Sequence, residues 1–184
     1  MPQKRRIAII VGSRSDLPQC LKGLMYLREL AKAGYIEFVV FHVASIHRNT
    51  KRVEEILTNL IGKVDVIGVS AGWANHLSGT CDAYLRNTLE DDKIVVFAGA
   101  FQDKANPEHT QAAVMSIKHV PDSQVVFKDY IGEDGFLRMC MGMFEMDPLP
   151  KIKLPKARFA MEMTLDRAIE EAEEMVKEKG GEVR

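Results

Sequence analysis

The chain has 184 residues, 28% of them charged and 46% hydrophobic, the composition of an ordinary globular protein rather than a disordered or fibrous one. With 25 Lys and Arg against 26 Asp and Glu, the formal charge is -1, so no overall basic field exists to recruit nucleic acid or an anionic membrane. Cys20, Cys81 and Cys140 are far apart and show neither CxxC nor Cys/His spacing; they read as buried free thiols rather than as a zinc site, and no metal is expected.

The first apolar run, "IAIIVG" within "MPQKRRIAIIVGSRSD", is too short for the apolar part of a signal peptide or for a spanning helix, and the expected location is the cytoplasm. "RIAIIVG" (6–12), "EFVVFHVAS" (37–45), "VDVIGVSAG" (64–72) and "KIVVFAGA" (93–100) are β-rich apolar runs ending in small or turn-forming residues, which predicts strands covered on both faces. Helical stretches separate them: "LPQCLKGLMYLRELAKAG", with Leu17, Cys20, Leu21, Leu24, Leu27 and Leu30 on one stripe and Gly34 as a stop, then "NTKRVEEILTNLIGK" and "HLSGTCDAYLRNTLED". A further helix is predicted within "PEHTQAAVMSIKHVP", a fifth, weaker strand at 123–131, and a Met-rich helix in "EDGFLRMCMGMF".

Strand alternating with helix implies right-handed βαβ units, hence a three-layer α/β/α sandwich on a parallel sheet. The expected organisation is one domain over 1–184, with a core at 6–145 and a C-terminal extension at 146–184. In that extension "EMDPLPKIKLP" has three prolines and predicts an irregular arm, while "KARFAMEMTLDRAIEEAEEMVKEKGG" predicts a charged amphipathic helix ended by two glycines. That helix would pack either on its own subunit or over a neighbouring one.

In open parallel sheets ligands bind beyond the carboxyl ends of the strands, and three of those ends are unusually polar. In "VGSRSDLP", Gly12 permits a tight turn, Ser13 and Ser15 offer hydroxyls, Asp16 is suited to cap the next helix, and Pro18 fits its first turn. A helix N-terminus with free amides and two hydroxyls is a ready phosphate cradle, although neither GxxxxGK[ST] nor GxGxxG is present. In "ASIHRNT", Arg48 can hold an anion bidentately and His47 supplies an imidazole, the side-chain type suited to general acid–base work. In "SAGWANHLSGT", Gly72 and Gly79 flank Asn75 and His76 and permit close backbone approach to a ligand. Together these side chains predict a pocket for a small phosphorylated ligand, with proton transfer and no metal.

The residues at these junctions resemble a known family, the phosphoribosylaminoimidazole carboxylases and N5-carboxyaminoimidazole ribonucleotide mutases of de novo purine synthesis. The family's GSxSD, SAHRTP and AGxAAHLPG patterns correspond to "GSRSD", "SIHRNT" and "AGWANHLSG", in the same order and at similar spacing. The resemblance implies a flavodoxin-like fold, no cofactor, and carboxylation of aminoimidazole ribonucleotide at C4, with either an N5-carboxylated substrate or free carbon dioxide as donor. It implies that Ser15, Arg48 and Ser45 hold the phosphate, that Asp16 holds the ribose hydroxyls, and that Gly12 and Ser13 line the site, Ser13 beside the aminoimidazole. His47 would be the general acid–base, while Gly72, Asn75, His76 and Leu77 would wall the carbon dioxide site, His76 being counted with His47 as catalytic. Partners would be a small ribonucleotide, carbon dioxide and further copies of the chain in a homo-octamer. Trp73, Asn75 and Ser78 depart from the family pattern, as does "HVPDSQVVFKDY" where the family has MPxGxPVAT. These departures keep open a carboxylase-like enzyme acting on another ribonucleotide, such as one with a nicotinate-type ring on which Trp73 could stack, or a nucleotide-binding protein without turnover.

Overall fold

The computed structural model describes residues 4–156 and 160–179. Strands β1 (Arg5–Val11), β2 (Ile36–Val43), β3 (Val66–Ala71) and β4 (Val95–Ala100) form a parallel sheet in the order β2-β1-β3-β4. β1, β3 and β4 are buried along most or all of their length, whereas β2, at the edge of the sheet, departs from the expected two-sided cover: it is mostly half-buried and leaves Glu37 and Val43 exposed. Along β1, Ala8 and Ile10 point into one core while Ile7, Ile9 and Val11 point into the other, and all five are fully buried. The first core is closed by α2 (Thr50–Leu60) and α3 (His76–Ala83), through Val53, Ile56, Leu57 and Leu77. The second is closed by α1 (Leu17–Lys32) and α5 (Gly132–Glu145), through Leu27, Phe136, Met139 and Met143. This is the expected three-layer sandwich. α1 lies so close to α5 that a Cβ at Gly23 would stand 2.6 Å from the Phe136 ring. α4 (Pro107–Lys118) packs Ala113 and Ile117 against Ala98 and Ala100 of β4. Cys20, Cys81 and Cys140 are buried free thiols, as their spacing predicts.

The C-terminal part of the core differs from expectation. The fifth strand is reduced to two isolated parallel bridges, Phe97 with Val126 and Ala100 with Ile131. Between them Asp129 adopts φ 49, a left-handed conformation that no extended run can contain, so the sheet has four strands. The helix predicted across 76–91 is α3 followed by a π turn at Tyr84–Thr88, which turns Arg86 inward. Arg86, 3% exposed, donates to Asp82 Oδ1 at 3.1 Å, to the Asp91 carbonyl at 2.7 Å and to the Ile94 carbonyl at 2.6 Å. The other Asp82 oxygen accepts the Gln124 amide at 2.7 Å. The Gln124 side chain in turn exchanges two hydrogen bonds with the Lys153 backbone, which pins the proline-rich arm to the body.

The last helix, α6 (Leu165–Glu178), starts later than its periodicity suggests, because Thr164 caps it by accepting the Arg167 amide. None of its side chains is fully buried, and Ala168, Glu171 and Glu173 are half-buried. The stretch 157–159 and the terminal glycines at 180 and 181 lie outside the described residues. No helix among the described residues is long and apolar enough to cross a membrane.

Candidate active site

The strand order explains why three motifs distant in sequence become one place. β1 is central, flanked by β2 and β3, and all three run the same way. The junctions after them therefore emerge side by side at one edge of the sheet, where they enclose a cavity of about 510 Å³, a size common among small-molecule sites. Gly12, Ser13, Ser15, Asp16, Ser45, His47, Arg48, Gly72, His76 and Leu77 all line it, so ten of the eleven residues singled out from the sequence meet.

Gly12 is required by close packing. Its amide donates to the Ser70 carbonyl at 2.9 Å, and a Cβ there would stand 2.9 Å from that of Ala71, so a side chain would force β1 and β3 apart. Ser13 then turns the chain, accepting the Ser15 amide at 3.3 Å while the two hydroxyls meet at 2.8 Å. The pair faces the cavity beside Arg48, whose guanidinium donates to the Gly12 carbonyl at 3.3 Å. Hydroxyls and a guanidinium around one opening form an anion-accepting end.

Asp16 behaves differently from the expected helix cap. It precedes α1, but its side chain makes no capping bond. Its carboxyl is half-buried, and desolvation pushes it up to about 6, against the opposing pull of a Ser13 backbone hydrogen bond and the Arg48 charge. Gly72 lies opposite it, its Cβ position 3.6 Å from Asp16 Oδ1, an ordinary contact distance. A carboxyl held near its charging point and facing open space is an acceptor waiting for donors, such as a pair of sugar hydroxyls.

Across the cavity His47 and His76 are in direct contact, Nε2 of His47 lying 2.9 Å from Nδ1 of His76 with the rings edge-on at 75°. One proton occupies that bond, so one imidazole donates and the other accepts. The two residues are 29 positions apart, and only the β2-β1-β3 order brings them together.

Asn75 corrects the sequence reading. It does not line the cavity. Its side chain is fully buried, donating to the Gly99 carbonyl at 2.8 Å and accepting the Ser78 amide at 3.1 Å, so it caps α3 and ties that helix to β4. Its place on the rim is taken by Trp73, which sequence reading noted as a departure from the family pattern and as an aromatic on which a different ring could stack. Trp73 stacks on His109 of α4, with centroids 4.1 Å apart and planes within 19°. His109 Nδ1 meets Asp103 Oδ2 at 2.8 Å. Among the described residues no three His, Cys, Asp or Glu side chains are grouped to hold a metal ion.

A parallel α/β sandwich with a polar cavity at the carboxyl ends of its strands has the flavodoxin-like architecture, and the cavity stands where such sheets hold small ligands. The sequence comparison is more specific: residues 6–89, which include all three junctions, match the model of the AIR carboxylase family. A crystal structure of PurE from Treponema denticola superposes on the chain with a TM-score of 0.53 at 13% identity, over 96% of this chain and 98% of that one. A serine-to-aspartate variant of PurE2 from the same organism gives a TM-score of 0.53 at 12% identity, over 97% and 98%. At such identities the likeness establishes the fold. No curated protein matches the sequence.

Proposed function

We propose that the protein carboxylates aminoimidazole ribonucleotide at C4, and the observation that carries this reading is the His47–His76 pair facing a hydroxyl-lined, Arg48-bearing anion end across one cavity. The phosphate would sit with Ser15, Ser45 and Arg48, the ribose hydroxyls with Asp16, and the ring beside Ser13 and the two imidazoles. When the donor is the N5-carboxylated ribonucleotide, the carbon–nitrogen bond to the carboxyl breaks, carbon dioxide is released in the cavity and the ring nitrogen substituent takes up a proton. When the donor is free carbon dioxide, that first step is absent. In both cases carbon dioxide bonds to C4, and the tetrahedral carbon then loses its proton to restore the aromatic ring.

One imidazole can serve both transfers, giving a proton in the first step and recovering one in the last. The bonded partner makes the arrangement reversible, because a proton received by His47 is shared with His76 instead of resting on one ring. The family resemblance also makes a homo-octamer the proposed assembly, which light scattering measures directly.

Incubation with aminoimidazole ribonucleotide plus bicarbonate, and separately with the N5-carboxylated form, tests the proposal and distinguishes the donors. Formation of the C4 carboxylate from either is expected, and turnover of neither overturns it. His47→Asn should abolish turnover while the ribonucleotide still raises the melting temperature, because the phosphate and ribose contacts are untouched.

A further inference from the structure

Trp73 stands out from the rest of the cavity wall. It is a large, β-rich type of residue held at φ 59, in the left-handed region that such residues rarely occupy. It is also 68% exposed, so neither backbone preference nor burial of its own ring explains its position. The structure does supply a means of holding it: His109 covers one face of the indole at 4.1 Å, and Asp103 fixes His109 through Nδ1. Asp103 is itself held, accepting the amides of Ala105 and Asn106 at 3.0 Å each. An aromatic ring braced on one side, open on the other and lining a ligand cavity has the features of a stacking platform.

The neighbouring groups indicate what would lie on it. Trp73 follows β3, as His76 does, whereas the hydroxyls and Arg48 that suit a phosphate follow β1 and β2. A phosphate anchored among those groups directs the far end of the ligand toward the indole and the histidines. We propose that Trp73 is the platform on which the heterocycle of the bound ribonucleotide stacks, with His109 and Asp103 as positioning residues that set the plane of the indole. The inference rests on the ribonucleotide reading above and adds that recognition of the ring is aromatic and comes from a residue at which the third junction departs from the family pattern. Trp73 then determines specificity: it favours flat, π-rich bases and gives nothing to the sugar phosphate alone.

The experiment is built into the chain, because Trp73 is its single tryptophan and all indole emission reports this site. The intact protein is titrated with aminoimidazole ribonucleotide, nicotinate ribonucleotide and ribose 5-phosphate. Ring-bearing ligands should quench or shift the emission, whereas ribose 5-phosphate should compete for the site without changing it. W73G, in which glycine accepts φ 59 freely, should raise KM for the ring-bearing substrate about tenfold, the scale of one stacking contact, with kcat and the affinity for ribose 5-phosphate unchanged; W73F should recover part of the loss. H109A and D103N should raise KM without lowering kcat and should alter the emission of the free protein, while H109F, which keeps the stack, should restore KM.

Wild-type KM in W73G, in a protein that turns over aminoimidazole ribonucleotide, overturns the platform and leaves the function standing. Absence of turnover together with emission changes from nicotinate ribonucleotide overturns the substrate and leaves the platform standing. No emission response to any ring-bearing ribonucleotide overturns the platform outright.

Discussion

Replacing Asp16 by Asn should make the protein more stable and less able to hold its ligand. The carboxyl sits half-buried at the β1 junction without a capping bond, and desolvation raises it from 3.8 to about 6. Such a displacement corresponds to a ceiling of ~3 kcal/mol against the ionised form. Because the group faces an open cavity, solvent screening leaves about a third to a half of that, ~1 to 1.5 kcal/mol. Below about pH 4 the carboxyl is protonated in both the folded and the unfolded chain and the penalty is nil. Between about pH 4 and 6 the folded chain keeps a proton that the unfolded one releases, so the penalty grows as pH rises, and it is complete above about pH 6.5. Asn has the shape without the charge. Urea unfolding of wild type and D16N at equal protomer concentration should therefore show an advantage of ~1 kcal/mol for D16N at pH 7.5, some 2 to 4 °C in Tm, which shrinks toward zero at pH 4. Adding the ribonucleotide should reverse the ranking, because the ribose hydroxyls donate to a carboxylate and lose that acceptor charge in Asn. A variant no more stable than wild type at pH 7.5, or an advantage that does not change with pH, refutes the reasoning.

Two further outcomes test the frame that carries the site. Arg86→Met should cost ~3 to 5 kcal/mol in urea unfolding, since it strands Asp82 as a buried carboxylate with its ion-pair partner gone; Asp82→Asn in the same background should recover part of the loss. Burial pushes Cys20 up to about 12 and raises Cys81 and Cys140 as well, so a thiol-specific disulfide reagent at pH 8 should leave the native protein unmodified and label three thiols in guanidinium.

How far the sequence could be read followed from what each element depends on. The strands were legible because a strand covered on both faces is apolar along its buried length, as β1 is from Ile7 to Val11, β4 throughout and β3 but for Ser70, while β2 carries an apolar run at the half-covered edge. The three polar junctions were legible for the complementary reason, since hydroxyls and an imidazole at the end of such a run have no packing role. What could not be read depended on separation in the chain. Arg86 sits in "YLRNTLED" like any surface arginine, and only the π turn and the start of β4 make it a buried hub. Asn75 looks like a site residue beside His76, yet its amide is used by Gly99, which arrives from another strand. The stack of Trp73 on His109 joins residues on two different loops and has no periodic signature. The run at 123–131 carries the composition of a strand, but one residue at positive φ divides it into two bridges.

The position of β1 in the middle of the sheet bears on how the protein would lose its activity. Its five interior residues are sealed on both faces, and the loops of the cavity hang from it and from its two neighbours. Amide protons in these strands should exchange only through the opening that dissolves the whole body, whereas those of α6, none of whose side chains is fully buried, should exchange through shallow local openings. The cavity therefore belongs to the slowest-exchanging part of the chain. Warming or mild denaturant should strip the C-terminal helix first and leave ligand binding intact until the sheet itself gives way.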